Sequence, residues 1–483
     1  MGIIEELKVF DDNLISRLNK LSSEKIEYWD IRAGSTIGNN IDFTNQKSKE
    51  ISSYEILNCG IRTFLNGGWG FYVLNNLDKA SILEGFTEAI KLAIQSEKFC
   101  KNKFQIQERK PIIKNYKFNS KISLKDTEIE EKIKIIKEQE KNASNFSDQI
   151  KNTRTVYLDR HTNSLFFDSF GSFMHQEFEI LRLFSSVYAN ENGITQNALN
   201  SVGGIGGIEI LENDESRNIS LKSAKQANEL LKAKSPIGGK FTVIMDPKLT
   251  GTFVHEAFGH ACEADHVLNK ESILGNKIGK QVAIEEITII DDPTVGQGKK
   301  FNLEYELYGS YYYDDEGILS QETKLIENGI LKNFLHSLET SSRMNQAPNG
   351  HGRANSNVSK PQVRMGFTYL EPRDWALEEM IEDTKLGILC EDFQYGYTDP
   401  TTGNFQFKCR FSYKIENGEK KEILRDVSLS GMTLEVLNRI SAIGNRNTFH
   451  YSDGVCGKGG QGIRVCDGGP YIRIENLTLG GLN

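Results

Sequence analysis

Between residues 252 and 268 the sequence reads Thr-Phe-Val-His-Glu-Ala-Phe-Gly-His-Ala-Cys-Glu-Ala-Asp-His-Val-Leu, placing three of the chain's eight histidines and three carboxylates in one helix-like, apolar-punctuated segment. Its core, His255, Glu256, Gly259 and His260, has the form H-E-x-x-x-H. That is one residue longer than the H-E-x-x-H in which two helical histidines share a zinc ion. The extra residue constrains the backbone. A regular α-helix turns roughly 100° per residue, so side chains five apart diverge by about 140°. His255 and His260 therefore reach one ion only if the helix opens into a π-bulge, where a turn closes from i to i+5. Gly259 sits where such a helix needs to give.

With that bulge, the two neutral imidazoles suit zinc, which in catalytic sites takes three protein ligands and keeps one position for water. Glu256 would then be the general base acting on that water. Regular geometry offers a competing site: Glu256, His260 and Glu263 fall at i, i+4 and i+7 and form a carboxylate-rich face. The plainest alternative is a helix whose histidines are partly buried polar residues and bind nothing.

At 483 residues the chain can build two or three domains with substantial cores. Hydrophobic residues make up 38% and charged residues 26%, which excludes a membrane bundle and a wholly disordered chain. A net charge of -8 gives no general attraction to nucleic acid. No run approaches the ~18 apolar residues of a membrane span, and the opening Met-Gly-Ile-Ile-Glu-Glu lacks the layout of a signal peptide. The expected location is the cytoplasm. Seven cysteines, odd in number and scattered, favour free thiols, any special one being a ligand or nucleophile.

Periodicity predicts an amphipathic helix over residues 3–20, then strands over 27–33, 49–57, 60–65 and 69–74, with Gly38-Asn39-Asn40 as one of the turns. A helix over 79–97 carries Ile82, Phe86, Ala89, Ile90 and Ala93 on its apolar stripe. Residues 125–144 alternate in charge sign around spaced isoleucines, a solvated helix packed on one face. Turn-separated segments follow over 156–160, 164–168, 173–188 and 194–202.

The polar stretch 215–237 is the domain boundary, giving an N-terminal α/β domain over 1–220 and a C-terminal domain over 221–483. Beyond it, Lys240 to Met245 reads as a buried strand that Asp246-Pro247 turns into the histidine helix. Short strands and glycine turns, such as Asn328-Gly329, dominate the remainder. The expected class is α+β: a sheet-and-helix N-terminal region and a predominantly β C-terminal domain carrying the histidine helix.

Gly457-Lys458-Gly459-Gly460-Gln461-Gly462 matches G-x-G-x-x-G, but a strand-like segment follows it, so it is no dinucleotide fingerprint. What remains is Cys456 in a loop, with Lys458 nearby to favour thiolate. A thiolate can complete a two-His, one-Cys zinc set. The bland reading makes Cys456 a small buried residue.

Several separated stretches together resemble the TldD/PmbA family of metalloproteases, in its TldD-type form that keeps the metal motif. They are Gly67-Gly68-Trp69-Gly70-Phe71, His255-Glu256-Ala257-Phe258-Gly259-His260 with Glu263 and Asp265, Asp314-Asp315-Glu316-Gly317, Leu325-Ile326-Glu327-Asn328-Gly329, Asp399-Pro400-Thr401-Thr402-Gly403, and Cys456-Gly457-Lys458-Gly459-Gly460-Gln461. The resemblance implies Zn2+ held by His255, His260 and Cys456, with Glu256 as base. It implies cleavage of short or unfolded peptides gripped by strand addition. It also implies a homodimer, or a heterodimer with a PmbA/TldE-like partner lacking the metal motif. Cys466 has no family role, and Phe258 fills a position that is often smaller.

On that mechanism Glu263 and Asp265 are expected to orient the ligand histidines, and His266 to lie at the surface. Arg353, Lys458 and Tyr312 are the candidates for stabilising the oxyanion. Two rivals remain: a non-catalytic peptide-binding subunit of a TldD/TldE-like heterodimer, and a thiol enzyme using Cys456.

Overall fold

Strands in the N-terminal half run much longer than the local turn signals suggest. The computed structural model describes residues 5–296 and 305–480. β1 (Tyr28–Thr44) and β2 (Lys47–Leu65) form one long hairpin. It turns at Asn45 and Gln46, both at positive φ. Gly38-Asn39-Asn40, expected as a turn, lies mid-strand, with Gly38 opposite Tyr54 on one side and Arg160 on the other. The glycine serves close approach instead. A Cβ there would stand 2.3 Å from the Asp159 carbonyl oxygen and 2.6 Å from the Tyr54 hydroxyl.

β3 (Gly68–Leu74) completes one edge, while β5 (Ile150–Asp168), β6 (Phe173–Glu191) and β7 (Ile194–Ile205) extend the other, in the order 7-6-5-1-2-3. The short β4 (Ile113–Lys117) adds in parallel to β6. The separate segments expected over 156–168 are one strand, because β1 and β6 pair with it almost end to end. Of the opening helix, residues 3 and 4 lie outside the described residues, and the rest divides into a 3-10 turn (Glu5–Val9) and α1 (Asp12–Ser22).

α2 (Lys79–Phe99) is capped by the Asp78 carboxylate, which accepts the Ser81 N–H at 2.9 Å. It buries Ile82, Phe86, Ala89 and Ile90 against Trp29, Ile31, Ala33 and Ile61 of the sheet. α3 (Ile129–Ser144) is the charge-alternating helix, and it packs beside the helix Ile219–Leu230.

The C-terminal half is mainly β. Strand Gly239–Met245 lies between Leu386–Asp399 and Ile472–Gly480, and the ring continues through Ser428–Met432 and Asn404–Glu416 back to Leu386–Asp399. These five strands thus close into a barrel, while Glu419–Leu424 and Ile440–Ile443 pair outside the ring with Asn404–Glu416 and Ile472–Gly480. Phe405, Phe407, Leu429 and Leu479 fill the barrel. A second sheet includes the hairpin of His450–Lys458 and Gln461–Gly469, whose turn is Gly459-Gly460 at positive φ. Between barrel and hairpin runs the histidine helix. An N-terminal α/β region followed by a mainly β region is the α+β class expected from the pattern. Among the described residues no helix is long and apolar enough to cross a membrane.

Candidate metal centre

The histidine helix starts where Met245 leaves the barrel. Asp246 caps it by accepting the Leu249 N–H at 2.8 Å, and Pro247 occupies the first turn. Pro247–Thr252 is α-helical, and Phe253–Gly259 then opens into a π-helix. The His260 N–H bonds the His255 carbonyl five residues back. Phe253, Val254, Ala257 and Phe258 are buried in the barrel core, with Phe253 against Phe405 at 5.3 Å. Burial of each large apolar side chain contributes about 1.5–3 kcal/mol, which holds the wide turn in place.

Gly259 has ordinary helical dihedrals, φ -59 and ψ -46, so it does not supply the give expected of it. It supplies room. A Cβ there would sit 2.1 Å from the Met365 sulfur.

The wide turn brings the His255 and His260 rings edge to face, 5.4 Å between centroids. Ligand atoms of His255, Glu256, His260 and Cys456 all lie within 4.8 Å of one another. The Cys456 sulfur is 3.3 Å from His260 Nε2, and the nearest Glu256 oxygen is 3.6 Å from the same nitrogen. Cys456 is not in a loop: it is a strand residue of the hairpin, opposite Ile463. The buried guanidinium of Arg364 donates to the Cys456 and Gln461 carbonyls and pins that hairpin.

The donor set fits a metal ion. Both ring nitrogens of His255 are buried with no hydrogen-bond partner, a state that costs about 1–3 kcal/mol per group unless something binds them. Around a tetrahedral zinc, N and S ligands stand about 3.5 Å apart, close to the His260–Cys456 spacing. Burial alone would keep the imidazoles neutral and the thiol protonated, but their mutual attraction outweighs it. His255 is raised to about 9, helped most by Cys456, and His260 is raised with Glu263 as its strongest partner. Cys456 is lowered to about 5 by the two histidines. The neighbouring histidines thus favour the thiolate form of Cys456, the form that binds metal.

Glu263 does not join Glu256 in a carboxylate face. It lies behind His260, accepting from Nδ1 at 2.9 Å and leaving Nε2 directed at the cluster. Asp265 does not touch His255 or His260; it holds Lys458, whose ammonium donates to Asp265 at 2.8 Å, Glu263 at 3.0 Å and the Val363 carbonyl at 3.1 Å. His266 is half-buried, 3.5 Å from both Glu263 and Glu271.

The three oxyanion candidates are committed elsewhere. Lys458 belongs to the Glu263–Asp265 network just described. Arg353 is buried over the Tyr311 ring and donates to the Met365 and Arg464 carbonyls. Tyr312 is stacked between Tyr116 and Phe118. Cys466 is buried, its sulfur accepting the Gly309 N–H at 3.3 Å, a packing role.

Two residues that sequence reasoning passed over belong to the surroundings. Arg364 is one. Asp467 is the other: burial pushes its carboxyl up to about 7, with His255 pulling it down and Glu256 pushing it up. Its neighbour Cys466 drew attention in the sequence, but nothing local marks an aspartate as facing a helix 200 residues away. A cavity of about 610 Å³ beside Asp246, Lys248 and His450 is lined by none of the four cluster residues.

Family models describe three successive parts of the chain: PmbA/TldA metallopeptidase domain 1 over residues 29–96, the central domain over 122–231 and the C-terminal domain over 238–481. The chain belongs to the PmbA/TldD metallopeptidase family. It is 39% identical over 460 residues to a protein named as a metalloprotease in Methanocaldococcus jannaschii, covering 94% of this chain and 98% of the relative. A zinc metalloprotease TldD homolog of Saccharolobus solfataricus is 38% identical over 251 residues, 52% of this chain and 54% of the relative. The crystal structure of TldE from Thermococcus kodakarensis superposes with a TM-score of 0.74 at 16% identity, covering 97% of this chain and 100% of that one, a likeness of fold. Within the PmbA/TldD family the protein is a metalloprotease.

Proposed function

We propose that the protein is a zinc-dependent peptidase in which His255, His260 and Cys456 hold the ion and Glu256 is the general base. The observation that carries this is the convergence of two imidazoles, a thiolate and a carboxylate within 4.8 Å, with both His255 nitrogens otherwise unpartnered. Bound there, zinc supplies Lewis-acid polarisation of a carbonyl and a more acidic water. Glu263 fixes the His260 ring through Nδ1 and keeps Nε2 available as a ligand. The Glu256 side chain is 39% exposed, beside the cluster instead of packed behind it, as a group exchanging protons with substrate must be. Its carboxylate takes the proton of the attacking water and returns it to the leaving amine.

The substrates are short or unfolded peptides, bound largely through their main chain. The partner is a second copy or a PmbA/TldE-like subunit, a pairing suggested by the TldE fold likeness. A scaffold role for this chain would leave the buried donor set without purpose.

Glu256→Gln separates the readings. The purified variant is expected to keep about one zinc per chain by elemental analysis while peptide hydrolysis falls at least a hundredfold. Hydrolysis at the wild-type rate would remove Glu256 from the mechanism, and activity that survives complete chelation would favour Cys456 as a nucleophile.

A further inference from the structure

A second cleft, about 270 Å³, lies between one face of the N-terminal sheet and the C-terminal region. Its charged lining is lopsided: Arg32 and Arg160 from the sheet, Arg353 and Arg464 from the other wall, against only Asp314 and Asp315. Asp315 is taken up by Arg32 at 3.5 Å and by the Ala354 N–H. Asp314 accepts the N–H groups of Glu316, Ile318 and Gly352.

The other three arginines have no carboxylate. Arg353 donates to the Met365 and Arg464 carbonyls, and Arg464 to those of Tyr308 and Ser310. Among the described residues the half-buried Arg160 side chain makes no hydrogen bond or ion pair. Like charges crowd one another here. Burial, then Arg353 and Arg160, push the Arg464 guanidinium down to about 9. A partly enclosed space lined by unneutralised guanidinium groups favours an anion, and guanidinium matches carboxylate by paired hydrogen bonds.

The cleft adjoins the metal centre. Ile463 lines it and stands directly opposite Cys456 in the hairpin, so the two backbones are one ladder step, about 5 Å, apart.

We propose that this cleft binds a carboxylate of the peptide substrate, with Arg160 as its free cation. The inference rests on the peptidase reading above and adds a preference to it. The carboxylate has two sources, the free C-terminus of a short peptide or an acidic side chain.

The test uses the full-length zinc-loaded enzyme and one peptide sequence in three forms: free acid, C-terminal amide, and amide carrying one Glu in place of Gln. kcat/KM is measured for each, and binding of the same peptides to Glu256→Gln is read by fluorescence anisotropy. Either the free acid or the Glu-bearing amide is expected to exceed the neutral amide by about tenfold or more, and which one does identifies the source. Arg160→Gln should reduce that ratio towards one, and Arg160→Lys should restore part of it. Equal use of all three peptides, or a preference indifferent to Arg160→Gln, overturns the proposal while leaving the peptidase reading intact. A wild-type enzyme that neither binds nor cleaves any of them defeats both.

Discussion

Glu263 is fully buried, yet one of its oxygens serves both the His260 ring at 2.9 Å and the Lys458 ammonium at 3.0 Å. Burial alone would raise this carboxyl; His260 and Lys458 more than reverse that and lower it to about 2. Two outcomes follow from the charge. Glu263→Gln keeps the shape but cannot satisfy two cations, so the His260 ring loses its fixed orientation and zinc affinity should fall about 10–100-fold, measured by competition with a chromophoric chelator. The same variant should change acid stability. The unfolded chain takes up a proton near the ordinary 4.5, which the folded chain refuses until about 2, so the wild-type protein loses stability as pH falls across that interval. Metal-free Glu263→Gln should show a shallower decline of Tm over the same range, and an identical slope would mean that Glu263 is not the group being titrated.

At the scale of elements, the π-turn is what makes H-E-x-x-x-H usable, and the five-residue histidine spacing announced it. The spacing could not say what keeps the turn open. Met365, 106 residues downstream and almost fully buried, fills the space beside Gly259. Gly259→Ala should therefore cost about 1–3 kcal/mol through overpacking, read as a lowered Tm. Met365→Ala should cost stability alone but relieve the clash, so the double variant should be more stable than the sum of the singles by about 0.5–3 kcal/mol. Strict additivity would show that the two side chains do not meet.

The same distinction separates what was legible from what was not. Local period revealed α2 and α3, and turn chemistry revealed Asn328-Gly329. The path of β1 through Gly38 was hidden, because that glycine answers to Tyr54 and Asp159 on neighbouring strands. Lys458 and Arg353 were candidates for the oxyanion because partners such as Asp265 and the Arg464 carbonyl are remote in sequence. Cys456 entered the metal set as a cysteine beside Lys458 and then through family likeness, since no spacing rule ties it to His260.

For the whole molecule, the junction between the N-terminal sheet and the C-terminal region is held by buried charge. Arg62 on β2 donates from Nε to Asp30 at 3.0 Å and from Nη1 to Glu316 at 2.7 Å, all three being at most 3% exposed. The second Glu316 oxygen accepts the Leu338 N–H, at the start of helix Leu338–Met344, at 2.6 Å. One cation thus joins Asp30 of the sheet to a helix start about three hundred positions away. Removing it leaves two uncompensated buried carboxylates, and breaking a buried pair in this way costs about 3–5 kcal/mol. Arg62→Met should therefore loosen the junction more than either region's own core. The four cluster residues lie between positions 255 and 456, so the C-terminal region should retain the proposed zinc site. Differential scanning calorimetry should then show an early transition indifferent to zinc and a later one that chelation lowers, because only the state that binds the ion is stabilised by it. A single transition, shifted down as one and still fully zinc-dependent, would mean that the two halves remain coupled through the sheet and loop contacts without the Arg62 bridge.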